Sequence, residues 1–96
     1  MTCYFVAQIK IHDYEEYEKY LAGYDDVFAK FKGRVIVVDD SPTVLEGEWS
    51  YTRAVVIRFP DEREARRWYD SPEYQALVQH RWRASEADII LATGRE

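Results

Sequence analysis

One cysteine, Cys3, and two histidines, His12 and His80, are all that the 96 residues offer of the side chains that most often cross-link a chain or ligate a metal. A lone cysteine excludes an internal disulfide and a multi-cysteine zinc site, and it fits a reducing compartment. The histidines lie far apart without an HExxH pattern, and there is no glycine-rich phosphate loop, so neither a metal nor a cofactor is expected. A long hydrophobic run is also missing. The opening MTCYFVAQIKIHD is broken by Gln8 and Lys10 where a signal peptide needs continuous apolar residues, and no later run approaches membrane length. The expectation is a cytoplasmic protein with no membrane partner. Positive charge is in deficit, with 13 basic residues against 18 acidic and a net charge of −5, which disfavours nonspecific binding to nucleic acid or an anionic membrane. No repeat, linker or low-complexity stretch divides the chain, whose length suits one compact domain spanning residues 1–96.

What is present is apolar and aromatic: 47% hydrophobic residues and 16% aromatic ones, including eight tyrosines and three tryptophans, enough to build a core and to line a pocket or interface. From Tyr4 to Ile11 the pattern alternates, with Phe5, Ala7, Ile9 and Ile11 on one face and Tyr4, Val6, Gln8 and Lys10 on the other, which predicts a strand. Asp13, with Glu16 three residues on, opens a helix along which Tyr14, Tyr17, Leu21, Tyr24, Phe28 and Phe31 form one apolar stripe. Gly33 is placed to end it in a left-handed turn. Arg34 to Asp39 predicts a second strand, DDSPT a turn, VLEGEW a short extended arm placed to pair back, and Arg53 to Phe59 a further strand stopped by Pro60. The segment RFPDEREARRWYDSPEYQALVQHR then starts two helices back to back. Asp61 and Glu64 cap the first, while Ser71 caps the second with Pro72 at its first position and Glu73 beside it. Ile89 to Ala92 predicts a closing strand.

This order is the β-α-β-β-α-β layout of an α+β, ferredoxin-like fold with a split second helix. Right-handed crossovers put the helices on one face of the sheet. The strands are nevertheless apolar on both faces: Ile36 and Val38 oppose Val35 and Val37, Val56 opposes Val55 and Ile57, and Ile90 opposes Ile89 and Leu91. A second copy is the simplest cover for the other face. Two sheets packed across a twofold axis make a homodimer in the form of a dimeric α/β barrel.

The elements LEGEW (Leu45 to Trp49), RAVVIRFP (Arg53 to Pro60), RWYDSPEYQAL (Arg67 to Leu77) and Arg81 before the closing strand, in this order, resemble the domain-of-unknown-function family thirteen-thirty over nearly the whole chain. The resemblance implies a dimeric α/β barrel, related in fold to cofactor-free antibiotic-type monooxygenases and to EthD-like and stress-responsive barrel proteins. The chain departs from the family around its second strand, where Lys32-Gly33 and Asp39-Asp40 replace the usual paired glycines.

Candidate chemistry is sparse. His80 acts as a general base if its ring enters a cleft between helix and sheet, and otherwise is a solvated helix histidine, the simpler reading. His12, just before a helix cap, reads as exposed loop. Trp68, Tyr69 and Tyr74 crowd the break between helices, as pocket walls whose hydroxyls orient a ligand or as core anchors. Ser71 is committed to capping and has no base nearby, so it is not a nucleophile. Gln8 and Arg58 fall on the face assigned to the partner subunit; Arg58 needs a partner there, and Glu46 or Glu48 is the expected acid, with a ligand in the barrel as the alternative. Arg63, Arg66, Arg67, Arg81 and Arg83 alternate with acids and read as a solvated, salt-bridged face. An RNA-recognition module would carry stacking aromatics where RAVVIRF has Val56 and Arg58, so nucleic acid is set aside. Glu46, Arg58, Tyr69, Tyr74, His80 and Arg81 are the ligand-binding candidates. Two functions stay open: a dimeric module that binds a small aromatic or acidic metabolite, and a cofactor-free monooxygenase-like or isomerase-like enzyme working in a helix-sheet cleft.

Overall fold

Strand β1 (Cys3–Ile11) is flanked on both sides, and the alternation of its side chains sets the two faces of the whole sheet. The computed structural model describes residues 1–95. Along the chain β1 is followed by α1 (Tyr14–Phe28), β2 (Arg34–Asp39), β3 (Arg53–Phe59), α2 (Glu62–Tyr69), α3 (Pro72–Ala84) and β4 (Ser85–Thr93). The four strands form an antiparallel sheet in the order β2-β3-β1-β4, which is the expected α+β, ferredoxin-like arrangement. Phe5 stands opposite Ile57 and Leu91, and Ala7 opposite Val55 and Ile89, on the inner face beneath the helices. Val6 stands opposite Val56 and Ile90 on the outer face, as the alternation of β1 required. No described helix is long and apolar enough to cross a membrane.

The register of β2 departs from simple parity. A bulge between Val35 and Val37 puts Val35 opposite Ile57 and Val38 opposite Val55, so both lie on the inner face while Arg34, Val37 and Asp39 share the outer one. Ile36 and Val38 are therefore not the pair of equivalent outer residues that strict alternation suggests.

Helix α1 ends earlier than its apolar stripe. Asp13 caps it, its Oδ1 accepting from the Glu16 amide at 3.1 Å, and Tyr17 and Tyr20 are its buried residues, whereas Tyr14 is 60% exposed. The helix stops at Phe28 with right-handed Ala29 as cap, so Gly33 forms no left-handed turn. Gly33 serves close packing instead: a Cβ there would run into the Phe28 ring and lie 2.6 Å from the Phe59 ring. The described residue with positive φ is Gly47, at 80°, which turns the chain within the β2–β3 connection. That connection forms no strand, so VLEGEW is an irregular arm with Leu45 91% exposed. Its end is fixed by Thr52, whose Oγ1 accepts from the Ile11 amide at 2.9 Å.

The split helix follows its caps. Asp61 Oδ1 accepts from the Glu64 amide at 2.8 Å. Ser71 Oγ accepts from the Tyr74 amide at 3.1 Å and donates to the Trp68 carbonyl at 2.8 Å, joining the end of α2 to the start of α3. The turn delivers Trp68 and Tyr74 side by side into the core, ring centroids 4.3 Å apart, and Trp68 also meets Phe5, Phe28 and Phe59 at 5.2, 5.5 and 5.4 Å. Helix α3 passes directly into β4, which begins at Ser85 rather than at Ile89, because β1 offers partners along its full length from Ile11 to Cys3. Ser71→Ala leaves the Tyr74 amide without its buried partner, while the Trp68 carbonyl keeps the Ser71 amide at 3.1 Å, and is expected to lower the unfolding free energy by about 1–2 kcal/mol; an unchanged urea midpoint would show that the hydroxyl does not hold the turn.

Candidate functional site

The inner face of the sheet is not fully covered. Between it and α1 lies a cleft of about 270 Å³, floored by Phe5, Ala7 and Ile9 of β1 with Val55 and Ile57 of β3, and walled by Tyr17, Tyr20 and Tyr24 of α1. Tyrosines at steps of three and four put their rings on one side of the helix. Of the lining residues, Leu21, Asp25, Val35 and Val38 reach solvent, so the cleft opens between α1 and the edge strand β2. Its inner end is formed by Arg81 of α3.

Arg81 is 3% exposed and no described carboxylate pairs with it; its Nη2 is buried without a hydrogen-bond partner, and the guanidinium stands 5.8 Å from the Tyr20 ring centre. Burial works against its charge, and the phenolic oxygens of Tyr74 and Tyr20 more than offset that effect. The Tyr20 and Tyr74 hydroxyls are 2.7 Å apart, and the Tyr24 hydroxyl is buried with no partner. Arg53, also on the wall, is engaged: it donates to Asp40 at 2.6 and 3.2 Å and lies 5.3 Å from the Tyr17 ring centre. The arrangement puts positive charge and hydroxyl donors in the lining of an apolar slot, which suits a flat ligand with an electron-rich end.

The sequence candidates are dispersed. Arg81 alone lines the cleft; Tyr74 stands behind it through Tyr20, and Tyr69 packs against Phe5 and Tyr74 at 6.1 and 5.5 Å, beside a second, smaller depression. His80 is outside it, its Nδ1 donating to Glu16 at 2.6 Å while Arg83 donates to the same carboxylate at 3.0 Å; these two bonds hold Glu16 down to about 2. Glu46 lies in the exposed β2–β3 arm. Arg58 does face outward with Val56, but it sits at the far end of β3 from that arm, opposite Tyr4 and Arg34, and no ion pair joins it to Glu46 or Glu48. The arm leads into the start of β3, so the expected pairing within the chain fails on distance along the strand. Gln8, opposite Ala54, lies on the same outer face.

The salt-bridged arginine face holds for Arg66 with Glu62, Arg67 with Glu64 and Arg83 with Glu16; Arg63 is exposed with no ion pair among the described residues, and the reading fails for buried Arg81. The signal for Arg81 is its spacing. Tyr74, Val78, Arg81 and Ala84 recur at steps of four and three and are the buried side of α3, so the arginine occupies a core position of the helix. Tyr20, absent from the expected stripe, is found by the same count between Tyr17 and Tyr24.

The family model described as Domain of unknown function (DUF1330) matches residues 2–95. Among solved structures, RPA0582, a protein of unknown function from Rhodopseudomonas palustris, superposes with a TM-score of 0.81 at 16% identity, over 99% of this chain and 83% of that one. SnoaB, a cofactor-independent oxygenase from Streptomyces nogalater, superposes with a TM-score of 0.68 at 22% identity, over 99% of this chain and 94% of that one. A dimeric ferredoxin-like protein of unknown function from Thermobifida fusca gives a TM-score of 0.69 at 15% identity, over 96% and 90%. At these identities the likeness is one of fold. No curated protein matches the chain in sequence.

Although the phenols support the charge of Arg81, its Nη2 is buried without a partner, and the desolvation of that donor is not recovered in the unliganded fold. Arg81→Met keeps the length and apolar stem while removing the charge, and is expected to raise the unfolding free energy of the unliganded protein by about 1 kcal/mol or more. Urea denaturation checks it, and a destabilised variant would mean that Arg81 is satisfied within the chain.

Proposed function

The chain belongs to the family of the domain of unknown function DUF1330, and from that premise we propose that it is a small-molecule-binding protein acting as a homodimer, with a flat aromatic or acidic metabolite held in the cleft between α1 and the sheet. The observation that supports this reading is the cleft itself. A core built from rings as tightly packed as Trp68, Tyr74 and Phe59 leaves about 270 Å³ open beside them, lined by apolar residues and one buried cation.

The dimer reading is supported by the outer face. Val6, Val37, Val56 and Ile90 form an apolar band across all four strands, with Ile90 61% exposed and Val37 39% exposed. A second copy with the same band is self-complementary across a twofold axis, so two sheets close face to face and both clefts stay on the outside with their helices. Residues at the ends of the band are charged or polar, as at an interface rim: Arg34 and Arg58 at one end, Lys10, Glu86 and Asp88 at the other.

The enzymatic alternative, cofactor-free oxygenation or isomerisation, has the fold shared with SnoaB in its favour. It needs a base at the ligand. The carboxylate among the lining residues is Asp25, exposed at the mouth, and His80 is held by Glu16 elsewhere, so binding is the reading the geometry supports better.

A thermal-shift panel of flat aromatic compounds tests the cleft: at least one is expected to raise the melting temperature, since a hundredfold excess over Kd stabilises the fold by roughly 2.7 kcal/mol. Val38→Trp at the mouth is expected to abolish that shift, and a shift that survives it places binding elsewhere. Light scattering at low micromolar concentration is expected to give twice the 11.4 kDa chain mass; a monomer mass would remove the dimer.

A further inference from the structure

The side chains lining the cleft carry donors without acceptors. Arg81 Nη2 and the Tyr24 hydroxyl are buried and bonded to nothing. In the Tyr20–Tyr74 pair, 2.7 Å apart, one hydroxyl donates to the other, and the second proton has no acceptor among the described residues. The Tyr74 phenol is a partner for the guanidinium, but no carboxylate is: Asp25 stands exposed at the mouth, and Asp40 is already engaged by Arg53. Burial pushes the phenols of Tyr20, Tyr24 and Tyr74 up from their ordinary value, so they remain protonated donors at neutral pH. The indole N–H groups of Trp49 and Trp68 are also buried without partners, but outside the cleft lining, whereas Arg81, Tyr20 and Tyr24 share it; unpaired donors on side chains that line one apolar slot mark the place of an acceptor-rich group supplied from outside.

We infer that the group received beside Arg81 is a deprotonated planar oxyanion, a carboxylate or a delocalised enolate or phenolate, which takes its charge partner from Arg81 and hydrogen bonds from Tyr24 and the Tyr20–Tyr74 pair. This rests on the reading of the cleft as a ligand site and narrows it. A carboxylate accepts in its plane from a guanidinium and still has lone pairs for two hydroxyls. An amine brings donors to donors and a positive charge to Arg81, so it is rejected. A neutral amide offers one acceptor and two further donors, and is accepted poorly. The apolar walls make this discrimination steep, because a mismatched polar group there has no water to turn to.

Calorimetric titration of the whole protein with 2-naphthoate, 2-naphthamide and 2-naphthylmethylamine separates the cases, since the three share one ring system and differ in the polar end. The naphthoate is expected to bind about 100-fold more tightly than the amide, with no measurable binding of the amine. Arg81→Met is expected to weaken the naphthoate about 100-fold while leaving the amide unchanged. Tyr24→Phe is expected to weaken the naphthoate about tenfold without lowering the melting temperature, a combination that a merely structural hydroxyl would not give. Equal affinity for acid and amide, or an acid whose affinity is unmoved in both variants, overturns the oxyanion while the cleft stands as a binding site. Binding by none of the three overturns the inference, and with an empty thermal-shift panel the cleft reading falls too.

Discussion

Two hydrogen bonds of one serine hydroxyl turn the chain between α2 and α3, and the placement of the cleft's charged end follows from that turn. Ser71 Oγ donates to the Trp68 carbonyl and accepts from the Tyr74 amide, so the last ring of one helix and the first of the next enter the core together. Helical geometry then carries the consequence forward: Val78 one turn and Arg81 two turns after Tyr74 must face the same way. Arg81 is thus brought into the interior by the helix it belongs to, not by a counter-ion that attracts it. The Tyr20–Tyr74 hydroxyl contact ties this arrangement to α1, whose tyrosines form the opposite wall.

Stability and reception of a ligand pull in different directions at this site. An apolar residue in place of Arg81 would complete the core, and a phenylalanine in place of Tyr24 would remove a buried hydroxyl that bonds to nothing. Sites with unpaired buried donors persist where a bound partner supplies what the fold omits. Elsewhere the same chain satisfies its charges with care: Glu16 gathers His80 and Arg83, Glu64 takes Arg67 and the Lys32 amide, and Arg53 holds Asp40. Two indole N–H groups, of Trp49 and Trp68, are also buried without partners, so the contrast that carries the functional argument is between those paired charges and the buried guanidinium of Arg81.

Much of the fold was legible because its signals are local. The caps at Asp13, Asp61 and Ser71, the alternation of β1 and the bounds of β2 and β3 each depend on neighbours a few residues away, and each is present. What depended on distant residues was not. Gly33 looks like a helix terminator, but its smallness serves the Phe28 and Phe59 rings. The bulge in β2 leaves no mark in a run of valines and isoleucines, and the full length of β4 is decided by its partner β1. Of the site, the apolar stripe of α1 was visible except for Tyr20, while Arg81 was hidden by its residue type: an arginine among acids reads as surface unless the helical count is trusted over the charge. The cleft exists only through the stand-off between α1 and the sheet, and no residue announces that spacing.

The central claim is that the inner end of the cleft receives an oxyanion at Arg81. Crystals soaked with 4-bromobenzoate test it directly, because the bromine locates the ring by anomalous scattering and the density then fixes the direction of the carboxylate. The account predicts one bromine peak within the cleft, between α1 and the sheet, with carboxylate oxygens about 2.7–3.0 Å from the Arg81 guanidinium. A bromine at the Arg81 end with the carboxylate turned toward the mouth, or a ring bound only outside the cleft, would contradict it.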